Sequence, residues 1–318
     1  MLQQPCSRPL GRRSNFVSIT IAKRTDSLKT GVGPLHFAQR VSSFKSLLPL
    51  FPFFAFVAYF LLFPLTFIVR DAFLDNDGKF TFSNFEECFK GVYGHSFFVS
   101  IQLSLISAAI GAVAGALIAS AIVKTGTKSR RAIAATASVL ANTGGVPLAF
   151  MFLAGFGSEG LVTKALKFLG WDLYAGSFTL FSATGIVLVY SFFQIPLMVL
   201  IYSPALENVK PEWREASDSL GGTKTTYFLR VTVPLLFPAF LSTSLLLFAN
   251  SFSAYATARA MTSGTLPLMP LLIGNLVDGN VIANQQHLGH AMAVCMVGVS
   301  IIVMSIYVLV LRFSKVKR

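Results

Sequence analysis

The strongest constraint on the fold is a set of six long apolar segments that contain no Asp, Glu, Lys or Arg. A helix needs about 20 consecutive apolar residues to cross roughly 30 Å of hydrocarbon. The segments that reach this length are residues 47–69, 96–123, 132–155, 179–203, 235–258 and 289–311. The chain is therefore predicted to be an all-α, multi-pass protein of the inner or plasma membrane, surrounded by lipid.

Composition argues against the common soluble classes. Only 12% of the residues are charged, whereas soluble domains have about a quarter. The net charge of +13 does not indicate nucleic-acid binding, because the basic residues lie in short segments between apolar runs and not on a polar domain. Cys6, Cys88 and Cys295 are far apart in the sequence, and this spacing predicts neither a disulfide framework nor a metal site.

The distribution of Lys and Arg predicts the orientation in the membrane. Segments 1–46, 124–131, 204–234 and 312–318 hold 8, 4, 4 and 4 of the 26 basic residues. Loops rich in Lys and Arg stay in the cytoplasm, so both termini are predicted to be cytoplasmic. Segment 1–46 has no apolar stretch long enough for a cleavable signal. It is interpreted as a disordered basic tail, or as residues upstream of the true start of translation.

The same pattern divides the chain into regions. Residues 47–95 are predicted to form the first span and the first external loop, and residues 96–311 a core of five spans. Residues 312–318 are predicted to be a second basic cytoplasmic tail.

The absence of charge within the spans limits the possible functions. Secondary transporters and proton pumps place ionisable side chains inside their spans to bind coupling ions or relay protons. This chain has none there, so its energy comes from elsewhere or it is a passive channel. It is not predicted to be an enzyme, because no cluster of catalytic groups is present. His287 and His290 are three residues apart without a carboxylate or cysteine beside them, so no metal site is predicted.

Some uncharged polar residues do lie within the spans. Each needs a hydrogen-bond partner or water, so each either joins two helices or lines a solute pathway. Asn142, Gln194 and Asn250 are the candidates for a pathway, together with the aromatic Tyr255.

Small residues and helix breakers add detail to three of the spans. In the second span a small residue recurs every four positions, at Ser107, Gly111, Gly115 and Ala119, which predicts a smooth face that another helix can approach closely. Gly144-Gly145-x-Pro147 is predicted to break the third span, and Gln194-x-Pro196 the fourth. Interrupted helices at this depth often line a cavity.

The loop at 204–234, between the fourth and fifth spans, predicts a short helix on the cytoplasmic face. Pro211 suits the first position of a helix, and Glu212 and Glu215 suit its first turn. Gly221-Gly222 is predicted to end it. Gly221-Gly222-Thr223-Lys224-Thr225 is not a phosphate-binding loop, because Thr223 stands where such a loop requires glycine.

This loop resembles the EAA loop of binding-protein-dependent ABC importer permeases of the MetI-like type. The family pattern is Glu-Ala-Ala, three residues, Gly, nine residues, Ile, one residue and Leu-Pro. The chain matches its spacing throughout, with three conservative departures at Ser217, Val231 and Val233. The residues that carry the resemblance are Glu215, Ala216, Ser217, Leu220, Gly221, Val231 and Pro234.

The resemblance implies a type I importer permease fold and a coupling helix that docks on a separate cytoplasmic ATPase. Glu215 and Ala216 would face that partner, Gly221 would form the turn and Pro234 would start the next span. The implied partners are ATP-binding subunits, a second permease subunit and an extracytoplasmic solute-binding protein. ATP would bind to the ATPase, and no cofactor is expected on this chain.

The substrate expectation also comes from resemblance. Segments 254–258, 268–275 and 289–293 are similar to permeases grouped with spermidine/putrescine importers, which favours a polyamine. Related subunits serve iron(III), thiamine, sulfate or aminoethylphosphonate, and these stay open. A passive channel or facilitator is the alternative from another class. It accounts for the uncharged spans but not for the EAA spacing.

Overall fold

The architecture was obtained as a computed structural model that describes residues 50–125, 127–176, 178–262, 266–278 and 285–316. The predicted tail at 1–46 lies outside these residues. The described residues are almost entirely helical, and they contain no strand beyond an isolated antiparallel bridge between Leu74 and Phe80. The all-α prediction is therefore confirmed.

The described chain contains α-helices and two short π-helical segments, Ala58–Leu62 and Phe228–Thr232. In chain order the α-helices are α1 Phe51–Val57, α2 Phe63–Ala72, α3 Ser83–Cys88, α4 Gly91–Val123, α5 Thr127–Asn142, α6 Val146–Phe156, α7 Leu161–Phe168, α8 Ala183–Glu207, α9 Pro211–Ser219, α10 Lys224–Tyr227, α11 Val233–Phe252, α12 Tyr255–Thr262, α13 Met269–Val277 and α14 Gln286–Val316.

Six helical stretches of the described chain are long and apolar enough to cross a membrane. They are Phe51–Ala72, Gly91–Val123, Val146–Phe168, Ala183–Glu207, Lys224–Phe252 and Gln286–Arg312. The prediction of six spans is confirmed. The cytoplasmic location of the termini and the division into regions stay predictions.

The chain separates into two compact units, Met1–Phe60 and Leu61–Arg318. In the first unit, the described residues form α1 and the start of the first π-helical segment, and phenylalanines such as Phe51 and Phe53 are exposed. An exposed aromatic surface of this kind suits contact with lipid. All of the helices from α2 onward belong to the second unit.

The third predicted span, 132–155, is not one helix. The chain breaks at the predicted Gly144-Gly145-x-Pro147 motif: α5 ends at Asn142 and α6 begins at Val146. Gly145 has φ +88°, a left-handed conformation that glycine adopts readily, and Pro147 suits the first turn of the new helix. The stretch that is long and apolar enough to span is instead Val146–Phe168, made of α6 and α7.

The predicted break in the fourth span is wrong. Helix α8 continues from Ala183 to Glu207 with Pro196 and Pro204 inside it. A proline removes one helical hydrogen bond, but membrane helices tolerate this loss where neighbouring helices pack around the site. Pro196 is buried in this packing. The fifth span, by contrast, ends earlier than predicted, because α11 stops at Phe252 and α12 begins at Tyr255.

The centre of the second unit is the packing of α4 against α8. The predicted small-residue row, Ser107, Gly111, Gly115 and Ala119, is buried throughout. A Cβ atom added to Gly111 would lie 2.6 Å from Gln194 Cβ, and one added to Gly115 would lie 2.5 Å from Met198 Cβ. No side chain fits in these gaps. The predicted smooth face is confirmed, and α8 is the helix that packs on it.

Helices α2, α3, α4, α11, α13 and α14 enclose a second apolar cluster, which brings two cysteines together. Cys88 on α3 and Cys295 on α14 both belong to it and are both free thiols. A hydrogen bond to Cys295, together with burial, raises the pKa of the Cys88 thiol above its ordinary value. Their separation in the sequence gave no sign of this contact.

The close approach of α4 and α8 makes a specific stability prediction. Gly115→Val places a branched side chain where backbone and Met198 leave no room, and overpacking of this kind costs about 1–3 kcal/mol. We expect a clearly lower midpoint of heat-induced aggregation for the purified protein in detergent. Gly298→Val is the matched control, because an added Cβ at Gly298 on α14 meets nothing within 4 Å. Equal midpoints for the two variants would contradict this packing.

The predicted orientation can be tested by thiol labelling. Leu220 and Phe168 are 88% and 92% exposed, and the charge distribution places them on opposite sides of the membrane. We expect a membrane-impermeant maleimide to label Phe168→Cys in intact cells, and Leu220→Cys only after the membrane is opened.

The unmodified chain controls for native cysteines in this experiment. The thiolate is the form that reacts, so a raised pKa leaves less reactive Cys88 at neutral pH, and burial restricts it further. Labelling of Leu220→Cys in intact cells would show that the predicted orientation is inverted.

Candidate functional site

The loop between α8 and α10 contains the predicted helix. Helix α9 begins at Pro211 and ends at Ser219, and Lys210 is its N-cap residue. Gly221 has φ +76°, so the left-handed turn that follows the helix favours glycine. Its N–H donates to the Asp218 carbonyl at 3.0 Å. The helix predicted over this loop is therefore present.

Helix α9 lies on the surface of the second unit. None of its residues is buried, and Glu215 and Ala216 are both exposed. Ser217 is half-buried, which places its side of the helix toward the protein. Leu220, directly after the helix, is 88% exposed. An exposed helix with an uncovered leucine beside it presents a surface suited to a partner.

The rest of the EAA-like segment continues into the fifth span. Val231 is half-buried in the π-helical segment Phe228–Thr232, and Pro234 is exposed in the first turn of α11. The span was predicted to start at Pro234, but the continuous helical stretch begins at Lys224. A proline in the first turn of a helix is compatible with preceding helical residues when a π-helical turn adjusts the hydrogen bonding. The loop helix is thus joined to the fifth span by a short turn only.

An ion pair lies at the start of the loop, where α8 ends. Arg130 of α5 lies 3.4 Å from Glu207, the last residue of α8. Both side chains are more than a third exposed, so the pair contributes little to stability. Its position matters more, because it links the predicted inner loop at 124–131 to the end of α8.

Two helix interruptions meet inside the second unit, and we refer to residues 143–145 and 253–257 as the break cluster. The Gly145 N–H donates to Thr257 Oγ1 at 2.9 Å, and Tyr190 donates its hydroxyl hydrogen to the Ala254 carbonyl at 2.8 Å. Backbone groups freed by a helix break within a membrane need such partners. Both interruptions are therefore held in place by side chains from other helices.

Two of the predicted pathway residues lie at the break cluster: Asn142 directly precedes it and Tyr255 belongs to it. Asn142 is exposed at the end of α5, where its Nδ2 donates to the Ser138 carbonyl at 2.8 Å. Tyr255, the first residue of α12, is 38% exposed and lies against Gly274 of α13. Asn142 and Tyr255 are far apart in the sequence. The hydrogen bond between Gly145 and Thr257 joins the two helix interruptions at which they lie.

Gln194 lies elsewhere, at the junction of three spans. It has no exposed surface, and its Nε2 donates to the Leu247 carbonyl at 3.1 Å and to Ser251 Oγ. Ser251 Oγ in turn lies 2.7 Å from Ser107 Oγ. This network ties α8 to α11 and α4, so in this structure Gln194 joins helices. Asn250, the neighbour of Ser251, is exposed.

One polar pair was not identified from the sequence. Arg259 lies on α12, and its Nη1 donates to Asn275 Oδ1 of α13 at 2.5 Å. It follows Tyr255 by one helical turn, so both side chains meet α13. The signal that could have indicated this pair is the basic residue directly after the predicted fifth span.

The two histidines have an acidic neighbour that their sequence context did not reveal. Asp71 Oδ2 lies 3.9 Å from His290 Nδ1, and the Asp71 carbonyl lies 2.9 Å from His287 Nδ1. Within the described part of the chain, no group of three or more His, Cys, Asp or Glu residues is arranged to hold a metal ion.

Comparison with known families decides the class of the protein. The profile of the family described as "Binding-protein-dependent transport system inner membrane component" matches residues 110–315. This match covers α5 to α13 completely, and with them the loop helix and the break cluster. The chain belongs to this family. Its location in the inner membrane and the prediction that it is not an enzyme are thereby confirmed.

Relatives of the chain are named as permeases of sulfate and molybdenum transport systems. The chain is 26% identical over 184 residues to the probable sulfate transport system permease protein cysT of Helicosporidium sp. subsp. Simulium jonesii, covering 57% of this chain and 64% of that protein. It is 30% identical over 131 residues to the molybdenum transport system permease protein ModB of Mycobacterium tuberculosis, covering 39% and 46%. The chain thus spans less than two thirds of the length of these relatives.

Solved structures support the fold. The chain resembles a protein in the crystal structure of a bacterial ABC transporter involved in the import of the acidic polysaccharide alginate, with a TM-score of 0.64, 16% identity and coverage of 94% and 98%. A second structure, of a bacterial alginate ABC transporter in complex with an alginate pentasaccharide-bound periplasmic protein, gives 0.66, with 16% identity and coverage of 82% and 92%. At this identity the likeness concerns the fold alone.

Proposed function

We propose that the chain is the membrane-spanning permease subunit of an ATP-driven importer, and that its solute is an oxyanion of the sulfate or molybdate class. The observation that carries the first part is the exposed helix α9, with EAA-like spacing, between the fourth and fifth spans. Its partners would be a cytoplasmic ATPase, a second permease subunit and an extracytoplasmic binding protein.

The loop geometry suits mechanical coupling. Helix α9 is exposed along its length, yet it is joined closely to α8 on one side and to α10 and α11 on the other. A force applied to α9 would therefore reach both α8 and α11. These two helices are also linked by the hydrogen bond between Gln194 and Ser251. The ATPase would supply that force when ATP binding changes its shape.

The break cluster favours an anion over a polyamine. Its residues include no Asp or Glu that could pair with a polycation, and Tyr255 is its single aromatic residue. Helices α6 and α12 both begin in this cluster, at Val146 and Tyr255. Helix N-termini carry partial positive charge, and transporters direct them at anionic solutes. The polyamine expectation gains no support from the sulfate and molybdenum relatives.

The passive channel remains the competing class, since it also accounts for uncharged spans. It does not account for the exposed α9, which has no role in a channel. Nor does it account for membership of a family whose transport depends on a binding protein.

Coupling through α9 is tested by charge reversal. We expect Glu215→Lys to abolish co-purification of the cognate ATPase subunit, because a mismatched charge at a docking surface is strongly unfavourable. Glu159→Lys is the matched control, since Glu159 is also an exposed carboxylate but lies outside the loop. Retention of the ATPase by both variants, with normal amounts of protein in the membrane, would contradict the proposal.

The solute is tested by uptake in cells that lack their own sulfate and molybdate permeases. With its cognate ATPase, second permease and binding protein co-produced, we expect ATP-dependent uptake of radiolabelled sulfate or molybdate. Excess unlabelled spermidine should not compete, because the break cluster offers no carboxylate. Spermidine uptake without oxyanion uptake would refute the solute assignment while leaving the permease assignment intact.

A further inference from the structure

A large groove opens beside helix α9, on the side of the molecule predicted to be cytoplasmic. Its volume is about 930 Å³, at the upper end of the roughly 300–1,000 Å³ that small-molecule sites occupy. The groove lies between the C-terminal ends of α4 and α8 and the start of the fifth span. The break cluster contributes none of its lining residues, so the groove is a separate feature of the fold.

The walls of the groove are apolar and open toward the membrane. Val113 and Leu117 of α4 line one wall, and Phe237 and Phe240 of α11 line another. All but Phe240 are exposed. Exposed aliphatic and aromatic side chains on a membrane span suit contact with lipid, so the groove is accessible to an acyl chain of the bilayer.

The mouth of the groove is cationic. Lys124, Lys210, Arg214 and Lys224 line it, and no acidic residue does. Lys124, Lys210 and Lys224 each lie within three residues of the end of a span, where a lipid headgroup can be reached. Arg214 has a distant partner, Asp218, at 3.9 Å, whereas the other three form no ion pair with any described residue.

Elsewhere in the described chain Lys79 and Lys128 also form no ion pair, whereas three other lysines are paired. Lys90, Lys164 and Lys167 each form an ion pair with a nearby carboxylate, at 2.9, 3.0 and 3.3 Å. The three lysines at the groove thus have unused charge beside an apolar wall. A ligand that complements both features has an anionic head and a hydrocarbon chain.

We propose that this groove binds an anionic phospholipid of the surrounding bilayer, with the phosphate at Lys124, Lys210 and Lys224 and an acyl chain along Leu117 and Phe237. Basic pockets between membrane helices bind acidic headgroups in this way. The lipid would lie against both α9 and the start of the fifth span, so its binding would hold the coupling loop in one position. This inference depends on membrane location and not on the identity of the transported solute.

The test uses the full-length chain in neutral detergent, after its bound lipid has been removed. Phosphatidylglycerol should raise the midpoint of thermal aggregation, whereas phosphatidylcholine and inorganic phosphate should not. The triple variant Lys124→Gln, Lys210→Gln, Lys224→Gln should lose affinity for phosphatidylglycerol by about two orders of magnitude, since each basic residue near a headgroup contributes roughly a fivefold factor.

The matched control is the triple variant Lys90→Gln, Lys164→Gln, Lys167→Gln, which removes the same charge from paired, exposed lysines and should bind the lipid normally. A second pair of variants tests the apolar wall without changing charge. Ser120→Phe fills the groove and should lower lipid binding, whereas Ser300→Phe should not. Both serines are half-buried and donate to the carbonyl four residues earlier, at 2.8 and 3.0 Å.

Several results would overturn the proposal. Equal stabilisation by inorganic phosphate would indicate a simple anion site, and equal stabilisation by phosphatidylcholine would remove the role of the lysines. Unchanged lipid binding by the groove triple variant, with loss of ATPase co-purification, would assign these lysines to the protein partner instead.

Discussion

The close crossing of α4 and α8 is the constraint on which the rest of the second unit depends. Two glycines let the helices approach until a single added carbon would collide with Gln194 or Met198. At that distance Gln194 also reaches Ser251 of α11, and Ser251 reaches Ser107 of α4. In lipid there is no hydrophobic force between helices, so close van der Waals packing and such hydrogen bonds hold the spans together.

The contact between α4, α8 and α11 connects the two spans on either side of α9. Helix α8 leads directly into α9, and the stretch Lys224–Phe252 leads away from it. Because the same two spans meet at Gln194, they cannot separate freely when α9 is displaced. A buried polar network of this type is more specific than apolar packing, since a shift of one residue would leave its donors and acceptors unpaired. Gln194 Oε1 already has no hydrogen-bond partner among the described residues.

The break cluster has the opposite character. A helix break within a membrane leaves backbone N–H and C=O groups without helical partners, which is unfavourable in lipid. Here Thr257 accepts from the Gly145 N–H, and Tyr190 donates to the Ala254 carbonyl. The remaining ends of α6 and α12 are polar without being charged. Under the proposed function, such a lining would bind a small oxyanion and release it again, whereas a fixed opposite charge would hold the ion. The rigid junction and the uncharged break cluster thus suit different tasks in one bundle.

The sequence by itself determined the six spans, the break after Asn142 and the helix at Pro211, because each follows from local chemistry. Apolar length decides membrane insertion, and Pro and Gly decide where a helix begins and ends. It could not tell that Pro196 stays inside α8, because neighbouring helices decide whether a proline breaks a membrane helix. It also could not pair Gln194 with Ser251, Thr257 with Gly145 or Cys88 with Cys295. These contacts join residues separated by 57, 112 and more positions, and only the packing of whole helices brings them together.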